Sequence, residues 1–423
     1  MALLEIARKR LQAVLDEINR LADYEFPYKD SELALRSLRQ VYSGRLRTLS
    51  LLNNNSNQAV LKQACSLALG ELFEYLPLLG FVVRSTNVRN AFEVFRPILR
   101  MARAVLEPGA QRNHQYQTQL VLSSEWDYSP LTYSEIPGLP GFVLIGLPAP
   151  ESSNPLLIPL AGHELGHSAW TMNGRAVDNA ISPVVRQQVI AVIRQRWVEF
   201  TTHFPGLGIA EAQVATDLAA IASWNRAASW GQKQAEEIFC DCLGLRLFGA
   251  SYLEAFAYLL APCVPGERPL LYPNTLARVA HLSTAAGTYD VAVPAGYQQL
   301  FEDNPNPPLA PASDFLLSVA DQAVGNAVAY IVQQANQVVA NSGLPAPTDA
   351  EATRILAKFG LVVPAEKCAG LPDILNAAWW AFNDPTFWQN NPQIASKKDE
   401  VLKELVLKNI EIFEIEQIIG AAP

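Results

Sequence analysis

Residues 162–170 read GHELGHSAW, which sets His163 and His167 four positions apart with Glu164 directly after the first. On a helix, positions i and i+4 share a face, so both imidazoles can reach one ion. Glu164 falls about 100° further round. There a carboxylate stands beside the ion rather than on it, placed to hold and deprotonate a water. A zinc ion lowers the pKa of water toward about 7, and the carboxylate base completes its activation for attack on a carbonyl. The motif supplies two ligands and needs a third.

His203 lies in THFPG, a helix end followed by a turn. Cys240 and Cys242 stand two apart on a predicted helix and point in different directions, which suits neither a disulfide nor a thiolate clip. The stronger source is AEEIFCDCLG, residues 235–244, where Glu237 and Asp241 again share a face at i and i+4. Glu237 in that register can ligate an ion while Asp241, one turn on, accepts a hydrogen bond from a ligand histidine and fixes its tautomer. Glu236 would have Cys240 at the second place, so the register favours Glu237.

His163-Glu164-Leu165-Gly166-His167 followed on a later helix by Glu237-Ile238-Phe239-Cys240-Asp241 resembles the gluzincin zinc metallopeptidases, whose hallmark is HExxH and then ExxxD. The resemblance covers Gly162 to Gly249. It implies Zn2+ held by His163, His167 and Glu237, Glu164 as general base, Asp241 orienting a ligand histidine, and a peptide or protein substrate. Some gluzincins carry His-Pro and an arginine shortly after the glutamate helix; here YPNTLARVAHL supplies Tyr272-Pro273 and Arg278, with Tyr272 in the histidine's place. An oxyanion stabiliser is chemically required, and Tyr272, Arg278, His281 and Tyr289 all remain open for it. The stretch EIFCDCLGLRLFGASY is also similar to segments of uncharacterised bacterial proteins that bear HExxH.

Two other readings compete. Di-iron carboxylate bundles need two Glu-x-x-His motifs; Glu164 and His167 form one, but the three other histidines follow Gln111, Phe200 and Arg278 at i−3, so the second is missing. A non-catalytic zinc-binding regulatory or partner-binding module of zincin fold would be marked by loss of Glu164, which is present.

The rest of the chain must position these residues. Its 423 residues are half apolar and 17% charged, a globular composition. The net charge of −9 and the lack of a basic block weigh against nucleic acid as a partner. From Leu3 to about Glu107 apolar residues recur at three and four, the helical period. Between Gln117 and Pro159 TQLVLSS and GFVLIGL alternate with Pro and Gly, which predicts a small sheet. GFVLIGLP is expected to supply an edge strand on which a substrate peptide aligns.

Helices are expected again at Leu160 to Met172, Pro183 to Phe200, Ile209 to Trp224 and Gln232 to Phe248, with Gly249 ending the last. EDNPNPPLAPAS, residues 302–313, has the composition of a boundary loop. The expected fold is therefore mainly α (α+β): a zincin-like metallopeptidase core with a small β-sheet at 113–301, flanked by helical regions at 1–112 and 302–423.

Leu247 to Val264 is the most membrane-like run, yet Glu254 and Pro262 interrupt it, so a buried helix is expected and no stable span. The N-terminal segment lacks an apolar h-region and cleavage site. Together with five cysteines, an odd and sparse set, this points to reduced thiols and a cytoplasmic setting.

Overall fold

The computed structural model describes residues 3–53, 56–85, 91–110, 117–126, 131–133, 136 and 138–420. It is mainly helical with one three-stranded sheet. His114 lies outside the described residues.

The chain divides into two compact units, one of residues 1–95 and 115–153 and the other of 96–114 and 154–423. This replaces the expected division at 112 and 301. In the first unit, α1 (Leu3–Leu21), α2 (Lys29–Ser50) and α3 (Gln58–Arg84) bury the apolar stripes their sequences repeat, with Leu11, Ile18, Leu38, Cys65 and Phe81 in one core. That core includes Val121, Phe142 and Leu144 of the sheet. The strands complete the N-terminal helical unit instead of belonging to the unit that carries the histidine motif.

The strands are β1 (Gln119–Glu125), β2 (Leu131–Tyr133) and β3 (Phe142–Pro148), in the order β1-β3-β2. β3 runs parallel to β1 and antiparallel to β2. GFVLIGLP is therefore the central strand and not an edge. It pairs with β1 along its whole length and with β2 at Leu144, Ile145 and Gly146, and all seven of its residues are buried, as the unbroken apolar run FVLIGL suits. The edge position on which a substrate peptide was expected to align is therefore not this strand's.

In the second unit, α4 (Phe92–Leu106) contributes its later residues. α5 (Ala161–Gln195), α6 (Trp197–His203), α7 (Leu218–Phe248), α8 (Ala250–Leu260), α9 (Thr275–Tyr289) and α10 (Pro311–Ser342) follow, then α11 (Asp349–Gly360), α12 (Leu371–Asn383), α13 (Pro392–Ala395) and α14 (Lys398–Gly420). α5, α7 and α10 pack on one another around Val189, Val192, Trp224, Ala227, Val319 and Ala323. Residues 302–313 hence do not open a separate C-terminal region, because α10 closes the core that α5 and α7 leave exposed.

α5 is broken at residues 172–175, where Asn173, Gly174 and Arg175 all take left-handed backbone conformations. The break lies where the sequence ends the first predicted helix, but the second starts earlier than Pro183. α7 is one helix where two were expected: Asp217 accepts from the backbone N–H groups of Ala219 and Ala220, both at 2.9 Å, and starts it. Gly249, at φ +64°, ends α7 as expected. That turn also splits the membrane-like run 247–264, whose α8 buries Tyr252, Leu253 and Phe256. Two other helices, α3 and α10, are long and apolar enough to cross a membrane; α10 spends that apolar surface on the core just described.

Candidate metal centre

Glycines bring the two motif helices together. A Cβ on Gly166 of α5 would lie 2.6 Å from Cys240 Cα of α7, and one on Gly162 would lie 2.8 Å from Gly244 Cα. Any side chain there would drive the helices apart. Gly244 is itself needed, because a Cβ would sit 2.4 Å from the Tyr252 ring. Gly166→Ala is therefore expected to destabilise by roughly 1–3 kcal/mol through overpacking and to weaken metal binding by separating the histidines from α7. Thermal unfolding and metal titration check both effects.

At this close approach His163 and His167 meet the carboxylates of α7. His163 Nδ1 lies 2.8 Å from Asp241 Oδ1, and His167 Nδ1 lies 3.0 Å from Glu236 Oε1. With both Nδ1 atoms engaged, the two Nε2 atoms face Glu237: His163 Nε2 is 3.3 Å from Glu237 Oε2 and His167 Nε2 is 3.7 Å from Oε1. Donors bonded at about 2.0–2.1 Å to one tetrahedral ion stand roughly 3.3–3.4 Å apart. Glu237 Oε2 is buried and has no hydrogen-bond partner among the described residues. A buried carboxylate oxygen without a hydrogen bond is costly, and a cation shared with the two Nε2 atoms would offset that cost. The donor set fits zinc on this test.

Burial and charge act against each other in the site. Burial disfavours a charged His163, yet the hydrogen bond to Asp241 and the carboxylate of Glu237 outweigh it and push the imidazole up to about 10. The His163 ring stands between the carboxylates of Asp241 and Glu237, at 2.8 and 3.3 Å. Burial likewise works against an ionised Asp241, but the Arg278 guanidinium and His163 hold its carboxyl well below the usual carboxylate range. Glu164 is buried beside the histidines, and burial raises its pKa.

Cys240 is a rival third donor, since its thiol and ligand atoms of both histidines lie within 4.8 Å of one another. Burial, and then the charges of Glu237 and Glu236, push this thiol well above its ordinary value. Glu237 is the better placed ligand: its carboxylate faces both Nε2 atoms at 3.3 and 3.7 Å, and its Oε2 makes no hydrogen bond among the described residues.

Asp241 has the placement expected of it and further partners. Tyr252 donates its hydroxyl to Asp241 Oδ1 at 2.7 Å, and Arg278 donates from Nε to Oδ2 at 2.5 Å and from Nη2 to Oδ1 at 2.9 Å. Sequence reasoning missed Tyr252, for which the close glycine at 244 was the available signal. It also passed over Glu236, whose second oxygen accepts from Lys233 Nζ at 2.9 Å. Its position one residue before Glu237 hid a role that only the close packing of α7 against α5 reveals.

The four candidates for the oxyanion separate. Arg278 is committed to Asp241, with Nη2 still 3.9 Å from Glu237 Oε2. Tyr289 is not brought to the site, because its hydroxyl donates to the Val332 carbonyl at 2.8 Å. His281, one turn beyond Arg278 on α9, is partly buried, and none of the site's hydrogen bonds among the described residues runs to it. Tyr272 stays 40% exposed with its ring 6.0 Å from the Arg278 guanidinium. Glu237's charge and then burial push its hydroxyl up to about 12, so it remains a donor. His203, also weighed earlier, lies against Phe315 at a ring separation of 5.0 Å.

Compared with known proteins, the chain matches no family model, no curated protein and no solved structure.

Proposed function

We propose that the chain is a zinc-dependent metallopeptidase, a hydrolase of gluzincin type acting on peptide bonds in the cytoplasm. The observation that carries this reading is that two carboxylate-held imidazoles both turn Nε2 toward the buried carboxylate of Glu237, 3.3 Å from Oε2 and 3.7 Å from Oε1. His163, His167 and Glu237 would hold the ion. When bound, zinc supplies Lewis acidity that polarises a carbonyl and lowers the pKa of water.

The chain's own residues do the rest. Asp241 and Glu236 accept the Nδ1–H protons, which fixes each imidazole with its Nε2 lone pair free. Glu164, its basicity raised by burial, takes a proton from the attacking water and returns it to the departing amine nitrogen. Tyr272 is the hydroxyl donor available on the open side for the developing oxyanion.

The test is a broad peptide library read by mass spectrometry, with chelator-treated protein as the blank. Cleavage that vanishes on chelation and returns with zinc is expected. A fully zinc-loaded protein that cuts no peptide or protein would overturn the reading.

A second reading, a closed non-catalytic zinc module, is favoured by Cys240, which as a fourth donor would fill the coordination shell. Cobalt substitution separates the two, since a thiolate ligand adds a near-ultraviolet charge-transfer band. The peptidase reading predicts no such band.

A further inference from the structure

The segment that presents Tyr272 is tied down far more tightly than a connection between helices requires. Arg268 is only 3% exposed although no ligand of the metal centre touches it. Its Nη1 and Nη2 donate to the two oxygens of Asp321 on α10 at 2.8 and 2.6 Å, and its Nε donates to the Tyr272 carbonyl at 3.1 Å. One buried guanidinium thus links the wall of the site to a core helix. A bidentate arginine–carboxylate pair gives orientation as well as energy.

Residues 302–305, which the composition suggested were a linker, form the other half of the fastening. Glu302 N–H donates to the Pro262 carbonyl at 2.8 Å, and Arg268 N–H donates to the Pro305 carbonyl at 2.9 Å. Asn304 Nδ2 donates to the Val264 and Gly266 carbonyls at 2.5 and 3.0 Å, while Asp303 accepts from Leu276 N–H at 2.8 Å. The stretch from Pro262 to Leu276 is laced at both ends, with Tyr272 inside it.

We propose that Arg268, fixed by Asp321 and seated on the 302–305 strap, is a positioning residue that holds Tyr272 at the mouth of the metal centre in the geometry needed to meet the oxyanion. This rests on the metallopeptidase reading above and adds a residue outside both motifs. Arg268 touches neither metal ligand nor substrate; it acts through the backbone of Tyr272. Positioning errors of about 1 Å remote from the chemistry can cost about 10²-fold in rate, which is the scale expected here.

The experiment uses the full chain and the variants Arg268→Gln, Arg268→Lys, Tyr272→Phe and Arg268→Gln with Tyr272→Phe. Amide hydrogen exchange across 262–276 should rise about tenfold or more in Arg268→Gln, as a local opening does, with zinc content unchanged. Loss of Tyr272's hydroxyl should lower kcat by about 10²-fold, and Arg268→Gln should do nearly as much with KM little altered. The double variant should be no slower than the worse single one, because both remove the same donor.

Arg268→Lys, which keeps the charge and loses the fork, should not restore the rate. Unchanged exchange in Arg268→Gln, or full additivity in the double variant, would overturn the proposal. If Arg268→Gln does not fold, Asp321→Asn loosens the same fork and is read by the same criteria. Should the wild type bind zinc and cut nothing, the metallopeptidase reading fails and the role toward the oxyanion falls with it; raised exchange in Arg268→Gln would then show only that Arg268 fastens the 262–276 segment.

Discussion

Glu164→Gln is expected to keep zinc and lose turnover by roughly 10²- to 10⁴-fold, the usual consequence of removing a general base. The substitution preserves size and hydrogen bonding, and the carboxyl is buried within the first turn of α5, so the fold should tolerate it. Replacing the carboxylate also removes one negative charge from beside the two histidines, which leaves His163 and His167 on their Asp241 and Glu236 partners. The loss should therefore appear in kcat and not in metal affinity. Equal rates in wild type and variant would exclude Glu164 as the base. Parallel loss of zinc would instead place it among the ligands.

Glu237→Ala should have the larger effect on metal. It removes one of three protein ligands and leaves two histidines facing an empty position, so zinc at stoichiometric concentration should no longer be retained through dialysis. Glu236→Ala is the informative control. Glu236 holds His167 Nδ1 without facing the shared point, and losing such a support typically costs about 10- to 100-fold in metal affinity. At micromolar protein the Glu236 variant should still carry zinc. Equal retention by the two variants would remove Glu237 from the ligand set, and Cys240 would become the candidate.

The elements of the site were legible in the sequence to the extent that they are local. The i, i+4 spacing of His163 with His167, and of Glu237 with Asp241, needs only helical periodicity, and the structure brings all four together. The partner of His167 was not legible, because Glu236 lies off the face that spacing selects and reaches the ring only through the close crossing that Gly162 and Gly166 permit. Tyr252 and Arg268 act across sequence separations that no periodicity encodes.

The misread strand has a related cause. FVLIGL signals burial on both faces, and it takes the pairing with β1 and β2 to tell a central strand from an edge. The stretch 302–313 was misjudged because Pro and Asn composition marks irregular backbone, whether it hangs free or, as here, laces two loops together.

The most direct test is elemental analysis of the full chain purified without chelator, alongside His163→Ala and Glu237→Ala. One zinc per chain in the wild type, removed by chelator and lost from both variants, is the predicted result. A wild type free of transition metal even after incubation with zinc, or variants that carry as much zinc as the wild type, would contradict a centre built on His163, His167 and Glu237.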